Sequence, residues 1–226
     1  MVTFILNMKH THMLTGIASS GRTCTLMFML ALGSYGFAQE KEKYPYSKWD
    51  AKTIKKAETY TDEDNIPGLE REIIYLTNLC RLNPKLFAQT YVKQYLDENN
   101  LKTANTASLV KDLNKCHKLE ALTYSEDLYY CAKAHAESNG KKGLEGHQHY
   151  NTRFKKYASQ YTTHGENCDY GNNSAIDVVM SLLIDEDVPG TGHRKNILDK
   201  QFKAIGVAYA AHKKLDHNVV MCFGGL

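Results

Sequence analysis

Apolar residues recur at helical spacing in the first half of the chain. The clearest set is separated by steps of three and four: Leu69, Ile73, Leu76 and Cys80. This spacing places them on one face, so it predicts an amphipathic helix over 69–81. The Asn83-Pro84 pair interrupts that pattern, and a second helical piece is predicted over 86–96 behind it. The stretch 99–114 is mostly polar, and we predict an irregular connection there.

Two later stretches combine helical periodicity with a capping residue. Residues 122–137 repeat apolar positions on one face, with Ser125 where an N-cap belongs. Residues 175–183 are strongly apolar and follow Ser174, which predicts a core helix. Between the two helices, 140–146 holds three glycines among charged residues, so a loop is predicted there.

The C-terminal part of the chain has a β-strand pattern instead. Runs rich in β-branched and apolar residues occupy 205–211 and 218–223, separated by a turn that contains lysines. Two such runs around a short polar turn predict a β-hairpin. Helices followed by a terminal hairpin indicate an α+β fold, with helices packed on a small sheet.

The N-terminal 38 residues differ from the rest of the chain. They contain no acidic residue and two cations, Lys9 and Arg22, followed by a short apolar run over 24–32 and small residues that end at Ala38. This order predicts a secretory signal peptide over 1–38, cleaved after Ala38, and therefore a secreted or periplasmic protein. The alternative is a buried N-terminal helix. The apolar run is too short to span a bilayer, which needs about 20 residues, so no transmembrane segment is predicted.

The segment 39–68 is polar and charged, with little apolar periodicity. We predict a charged tether with a helical turn within 51–60, followed by one domain over 69–226. The formal charge of the whole chain is +3. Removing the signal peptide makes the chain nearly neutral, which argues against electrostatic nucleic-acid binding.

Cysteine usage leaves two interpretations open. Cys24 departs with the signal peptide, and five cysteines remain: Cys80, Cys116, Cys131, Cys168 and Cys222. In an oxidising compartment they could form up to two disulfides with one thiol left over, in a pairing that the sequence does not select. They could equally be small buried apolar residues.

Four polar residues between positions 147 and 193 are candidates for chemistry. His147 follows a glycine, Glu166 lies in Gly-Glu-Asn, Asp185 ends the apolar helix, and His193 lies in Gly-His-Arg-Lys-Asn-Ile-Leu. The set combines two imidazoles with two carboxylates, side chains that bind divalent metals and transfer protons.

The order of these motifs carries a resemblance. Asn78 and Arg81 stand before Asn83-Pro84, Gly-Glu-Asn occupies 165–167, and Gly-His-Arg-Lys-Asn-Ile-Leu at 192–198 is followed by Ile-Gly-Val. In this order they resemble the CAP superfamily of cysteine-rich secretory, antigen 5 and pathogenesis-related proteins, also called SCP-like, and its bacterial branch in particular.

The resemblance implies a three-layer α-β-α sandwich with a central cavity lined by two histidines and two acids. The matching positions are His147, Glu166, Asp185 and His193, with Asp185 standing where the wider family has Glu. His149 competes with His147 for the first place, because alternation along an extended segment would put both on one face.

Such a tetrad suits Zn²⁺ or a similar divalent cation, with His147 and His193 as the ligands. Glu166 would then orient a histidine or activate a water as a general base. Without an ion, the same residues would form a buried hydrogen-bonded network that fixes the shape of the cavity. Two functions follow: a module that binds an extracellular glycan, lipid or peptide of the cell envelope, or a metal-assisted hydrolase of peptide or glycan bonds.

Overall fold

The computed structural model describes residues 46–61, 64–186 and 188–226. The predicted signal peptide over 1–38 lies outside the described residues. No helix in the described ranges combines the length and the apolar character needed to cross a membrane.

The N-terminal half is helical. A short 3-10 helix at Tyr46–Lys48 leads into a series of helical segments: α1 (Ala51–Ala57), α2 (Gly68–Leu82), α3 (Pro84–Phe87), a π-helical turn (Ala88–Val92), α4 (Lys93–Glu98) and α5 (Ala104–Lys115). Asn83 ends α2 and caps α3, since its side chain accepts a hydrogen bond from the backbone of Leu86.

The C-terminal half supplies the sheet and four more helices. In chain order these are β1 (Thr123–Tyr124), α6 (Glu126–Lys142), α7 (Tyr150–Tyr157), β2 (Thr163–Tyr170), α8 (Ala175–Ile184), α9 (Gly192–Ile197), β3 (Ala204–His212) and β4 (Asp216–Gly225). The strand order is β1-β3-β4-β2. β1 pairs with β3 in parallel, and the other two pairings are antiparallel.

Helices cover both faces of this sheet, as the predicted α-β-α sandwich requires. On one face α2 and α8 pack on the bulky side chains of the hairpin, Ile205, Val207, Val219, Met221 and Phe223. On the other face α6 and α7 pack on smaller side chains, Ala204, Ala208, Val220 and Cys222. The alternation of large and small residues along β3 therefore assigns its two faces to different layers.

Gly206 permits the close approach of α6 to the sheet. A Cβ atom at this position would collide with the backbone of Leu128 and Tyr129 in the first turn of α6. Small residues at 204, 206 and 208 are thus what lets this helix lie directly on β3.

Most of the predicted elements are present. The helices predicted over 69–81 and 175–183 are α2 and α8, and the hairpin is β3–β4. Ser125 and Ser174 each accept a backbone hydrogen bond at the helix start, which confirms both caps. The helix predicted over 122–137 begins later and extends to Lys142, so the predicted loop begins three residues further on.

The polar connection predicted over 99–114 is wrong. Residues 104–115 form α5, which begins with a capping box between Thr103 and Thr106. Leu109 and Leu113, one turn apart, are fully buried. The capping box and the two buried leucines stabilise a helix whose other positions are mostly polar.

The described part of segment 39–68 packs against the domain. Trp49 is 5% exposed and belongs to the main core, where its ring meets Tyr91 edge-on. Ala57 and Ile66 are also buried. The described residues of this segment are therefore a folded extension of the domain; the boundary at residue 69 stays a prediction.

No disulfide joins the cysteines of the described chain. Cys80, Cys116, Cys131, Cys168 and Cys222 are all free thiols, and every one except Cys116 is buried. Cys80 belongs to the first core, whereas Cys131, Cys168 and Cys222 belong to the second. The alternative interpretation, small buried apolar residues, describes these four.

Candidate functional site

His147 lies on the loop between α6 and α7, where glycines set the path of the chain. α6 ends at Gly143 with a φ of 65°, and Gly146 has a φ of 94°, both in the left-handed region that favours glycine. The backbone N–H of Gly146 donates to Tyr170 Oη at 2.8 Å, which fixes this loop to the end of β2. The next residue, His147, is thereby held beside Glu166, which lies on β2 like Tyr170.

Glu166 is a fully buried carboxylate with cationic and imidazole partners. Its Oε1 lies 2.9 Å from Nδ1 of His147, and Arg153 on α7 reaches both of its oxygens, at 2.6 Å and 2.9 Å. Burial raises the pKa of this carboxyl, but the hydrogen bonds from His147 and Arg153 outweigh it and hold the pKa at about 2. Glu166 is therefore ionised, and His147 donates its Nδ1–H to it.

His135 completes the surroundings of Glu166. It lies on α6, and its Nε2 is 2.8 Å from the carbonyl oxygen of Gly146 and 3.6 Å from Oε1 of Glu166. Burial lowers the pKa of His135, so its ring is neutral and donates to Gly146. Glu166 is therefore the centre of a buried cluster that also contains His147, Arg153 and His135.

Asp185 and His193 form a second, separate pair. Asp185 follows the last turn of α8 with a φ of 60°. Its Oδ1 lies 2.8 Å from Nδ1 of His193, and its Oδ2 accepts the backbone N–H of His193 at 2.9 Å. The side chain of Asp185 is fully buried, while that of His193 is 20% exposed. A buried carboxylate thus fixes this imidazole as well.

His147 and His193 both line one cavity of about 610 Å³. Its lining includes His147, His193 and Asp185, together with residues of α4, α5 and α8. Glu166 is not among the lining residues, although its partner His147 is. Three of the four predicted residues therefore meet at one cavity, and the fourth is hydrogen-bonded to the first.

His149, the competitor for the first place, lies elsewhere. It immediately precedes α7 with a φ of 56° and lines a different pocket, between α6 and α7. The segment is a turn here and not an extended strand, so residues 147 and 149 do not share a face. His147 is the histidine at the cavity.

One set of three potential metal ligands exists among the described residues. Ligand atoms of His135, Glu166 and Cys168 all lie within 4.8 Å of one another. Three observations oppose a cation there: His135 Nε2 already bonds to Gly146, Glu166 is paired with Arg153, and burial raises the pKa of the Cys168 thiol. The guanidinium of Arg153 already supplies the positive charge that balances the buried Glu166.

The sequence did not indicate three buried residues that shape this region: His135, Arg153 as the partner of Glu166, and Asp169. His135 lies on the face of α6 that the sequence predicts to be apolar. A single histidine among apolar residues on that face is a signal that the sequence does contain. Asp169 lines the cavity next to Cys168, and burial raises its pKa to about 6 despite hydrogen bonds from Ser181 and Asn172. No pattern in the sequence pairs Arg153 with Glu166, because their contact depends on how α7 lies on β2.

Comparison with known families agrees with this architecture. A family model described as CAP, the cysteine-rich secretory protein family, matches residues 76–223, well over half of the chain. The chain belongs to the CAP family. The match covers all four predicted site residues and confirms the resemblance seen in the motifs. No curated protein matches this chain.

Three solved structures similar to this CAP protein come from bacteria. An outer surface protein from Borrelia burgdorferi is 23% identical with a TM-score of 0.41, over 53% of this chain and 85% of that one. An SCP-domain extracellular protein from Bacillus anthracis is 17% identical with a TM-score of 0.41, over 54% and 38% of the two chains. A cysteine-rich secretory protein from Staphylococcus aureus is 17% identical with a TM-score of 0.37, over 54% and 39%. The alignment thus spans less than half of the last two proteins.

Proposed function

We propose that this CAP protein is exported and binds a divalent cation between His147 and His193, at the mouth of a cavity that receives a cell-envelope glycan or lipid. The proposal rests on a hydrogen-bonding pattern that the two imidazoles share. In each, Nδ1 is engaged by a buried carboxylate, at 2.9 Å for His147 and 2.8 Å for His193.

A carboxylate behind each ring selects the tautomer that metal binding needs. Because a carboxylate only accepts, the proton lies on Nδ1 of the neutral ring and the lone pair lies on Nε2. Carboxylate–histidine pairs of this kind hold the ring in place and make the free nitrogen a better ligand. The donor set therefore fits Zn²⁺, with Glu166 and Asp185 as outer partners and His147 and His193 as ligands. A bound cation would supply a Lewis-acidic centre with open positions for water or a ligand oxygen.

The cavity walls suit a ligand with both apolar and polar parts. Apolar side chains from α8 and its neighbours, Leu101, Leu182, Ile184 and Val188, line one part, and the rings of Tyr95 and Tyr170 line another. A volume of about 610 Å³ falls within the usual range of small-ligand sites. Tyrosine rings can stack on sugar faces, and aliphatic walls can hold an acyl chain. Both expected ligand classes are therefore compatible with these walls.

The alternative function, a metal-assisted hydrolase of peptide or glycan bonds, needs a general base beside the ion. Glu166 is a poor one, because its pKa is about 2 and both of its oxygens are engaged. An efficient base has a pKa near the working pH. Glu166 is better suited to orienting His147. A hydrolase would release new reducing ends or amines from envelope glycopeptide, and H193A would abolish that release.

Export rests on residues 1–38, which have the charge order of a signal peptide. Mass spectrometry of the protein recovered from a secreting host tests this directly. We expect a mature N-terminus at Gln39, and an uncleaved chain retained in the cytoplasm would contradict export.

The metal proposal is tested by calorimetric titration with Zn²⁺. We expect one site per chain in the wild type and a loss of affinity of more than about 100-fold in H147A and in H193A, since losing a ligand costs more than losing its outer partner. H149A is the matched control, because His149 lies two residues from His147 but outside the cavity. Equal binding by all three variants would overturn the proposal.

A further inference from the structure

The face of the molecule behind Glu166 carries a second pocket with the opposite charge. This pocket, of about 240 Å³, lies between α6 and α7 and is here called the α6–α7 pocket. Its lining contains three cationic side chains, Lys142, Arg153 and Lys156, and no Asp or Glu. The large cavity has the reverse composition: acidic residues line it, and no Lys or Arg does.

The other lining residues add hydrogen-bond donors. Ser138 and Thr152 contribute hydroxyl groups, and His149 contributes an imidazole. Asn139 and Gln148 also line the pocket, but they bond to each other and to the loop at Gly146. The free donors thus come from residues on or next to the two helices. The amides of Asn139 and Gln148, which are bonded to each other, form the floor of the pocket.

Arg153 has one donor to spare. A guanidinium carries five N–H groups. Its Nε donates to Gln148 O at 3.0 Å, Nη1 donates to Glu166 at 2.6 Å and to the Cys131 sulfur at 3.9 Å, and Nη2 donates once to Glu166 at 2.9 Å. One N–H of Nη2 therefore has no acceptor in the described chain. The side chain that carries it is only 10% exposed and lines the pocket.

The two lysines of the pocket have no carboxylate partner among the described residues. Lys142 lies in the last turn of α6. Lys156 extends its Nζ over the Tyr157 ring, 4.6 Å from the centroid. Two unpaired ammonium groups and a spare guanidinium donor around one small concavity create a positive potential that a multivalent anion would neutralise.

We propose that the α6–α7 pocket binds a compact tetrahedral oxyanion, a phosphate or phosphoryl group. The volume excludes a large ligand, since it is below the usual range for drug-sized molecules. Lys142 and Lys156 supply charge from the two helices, the spare N–H of Arg153 anchors one oxygen from the floor, and the hydroxyl groups of Ser138 and Thr152 serve the others. This site is independent of a metal at His147 and His193.

The test is calorimetric titration of the full mature chain with inorganic phosphate at constant ionic strength, in chloride buffer at neutral pH. We expect saturable binding at one site in the wild type. The double variant K142Q/K156Q should bind at least about tenfold more weakly, because two of the three charges are gone. Thermal melts in chloride alone should match the wild type, since both lysines are exposed.

A matched control separates a site from general charge effects. K141Q/K155Q removes the same two charges from the neighbouring positions on the same helices, and neither residue lines the pocket. It should bind phosphate like the wild type. Equal weakening in the two double variants, or no saturable binding in the wild type, would overturn the proposal.

Glycerol 1-phosphate distinguishes the two sources of the anion. An affinity equal to or above that of inorganic phosphate supports a phosphoryl group carried on a larger envelope molecule. Binding of inorganic phosphate alone supports a free anion. Binding of uncharged glycerol at the same site would overturn the assignment, since the pocket would then not be recognising charge.

Discussion

Asp185 accepts two hydrogen bonds from the same residue: one from the ring Nδ1 of His193 at 2.8 Å and one from its backbone N–H at 2.9 Å. The carboxylate therefore fixes both the ring and the start of α9 that carries it. Under the proposed function, Asp185 positions His193 and does not need to reach the ion itself.

Replacing Asp185 by Asn should weaken metal binding through His193. The amide can accept only on one atom, so either the ring or the backbone N–H loses its partner. We expect Zn²⁺ affinity to fall by about 10–100-fold and the free energy of unfolding to fall by about 1–3 kcal/mol. Calorimetry and urea denaturation measure the two effects.

Asp216 provides a matched control for that substitution. It has a φ of 64°, close to the 60° of Asp185, but it is exposed at the first residue of β4, directly after the hairpin turn. D216N should change stability by less than about 0.5 kcal/mol and leave Zn²⁺ binding intact. Unchanged Zn²⁺ affinity in D185N would contradict the positioning role.

Glu166 should make stability depend on pH in the acid range. Its pKa is lowered from 4.5 to about 2 in the folded chain. A lowered carboxyl pKa contributes stability above the unfolded value, and that stability is lost as the pH falls through 4.5 towards 2. The shift corresponds to about 3 kcal/mol. The difference in unfolding free energy between wild type and E166Q should therefore shrink by about that amount between pH 6 and pH 2.

At neutral pH, E166Q should lose about 3–5 kcal/mol, because Arg153 stays buried without its counter-ion. The control is E137Q, which removes an exposed carboxylate from α6. It should follow the wild type at every pH. A difference between wild type and E166Q that does not vary with pH would mean that this carboxyl titrates normally in the folded chain.

Asp169 should act in the opposite direction. Burial raises its pKa from 3.8 to about 6, so the folded chain holds its proton more tightly and stability falls as the pH rises from about 4 to 6. An amide at this position does not titrate. Stability of D169N relative to the wild type should therefore improve by about 2 kcal/mol between pH 4 and pH 7. A constant difference over this range, measured by urea denaturation, would refute the raised pKa.

Gly206 should tolerate no side chain. A methyl group there meets the backbone of α6, so G206A must push the helix off β3, at a cost of about 1–3 kcal/mol or more. Gly192, in the first turn of α9, has open space where a methyl group would lie, with nothing within 4 Å, so G192A should be neutral or slightly stabilising. Equal melting temperatures for the two variants would show that α6 does not lie on the sheet at Gly206.

The sequence carried enough information for the elements built on apolar periodicity. The stripe of α2, the apolar run of α8 and the β-rich hairpin are each visible in the sequence, because one face of each must be buried. Strand β2 had no such signal. Its buried positions include Glu166, Asn167 and Asp169, and polar residues that are buried in networks do not produce an apolar alternation.

The candidate residues were predictable as a set, but their pairing was not. The order of the motifs predicted the set: His147, Glu166, Asp185 and His193. The contacts of Glu166 with His147 and Arg153 depend on how the loop before α7, and α7 itself, lie on β2. The contact of Asp185 with His193 depends on how the chain turns between α8 and α9. The role of Asn167 was equally unpredictable: its side chain donates to His193 O at 3.0 Å and accepts from Asn196, tying β2 to α9. Contacts between distant segments have no local signature.

The location of a bound ion decides whether His147 and His193 are its ligands. Crystals of the mature chain grown with Zn²⁺ and measured on either side of the zinc absorption edge would show where the metal lies. We predict one anomalous peak in contact with Nε2 of His147 and Nε2 of His193, at the cavity. A peak among His135, Glu166 and Cys168 instead, or no peak at either place at saturating Zn²⁺, would contradict it.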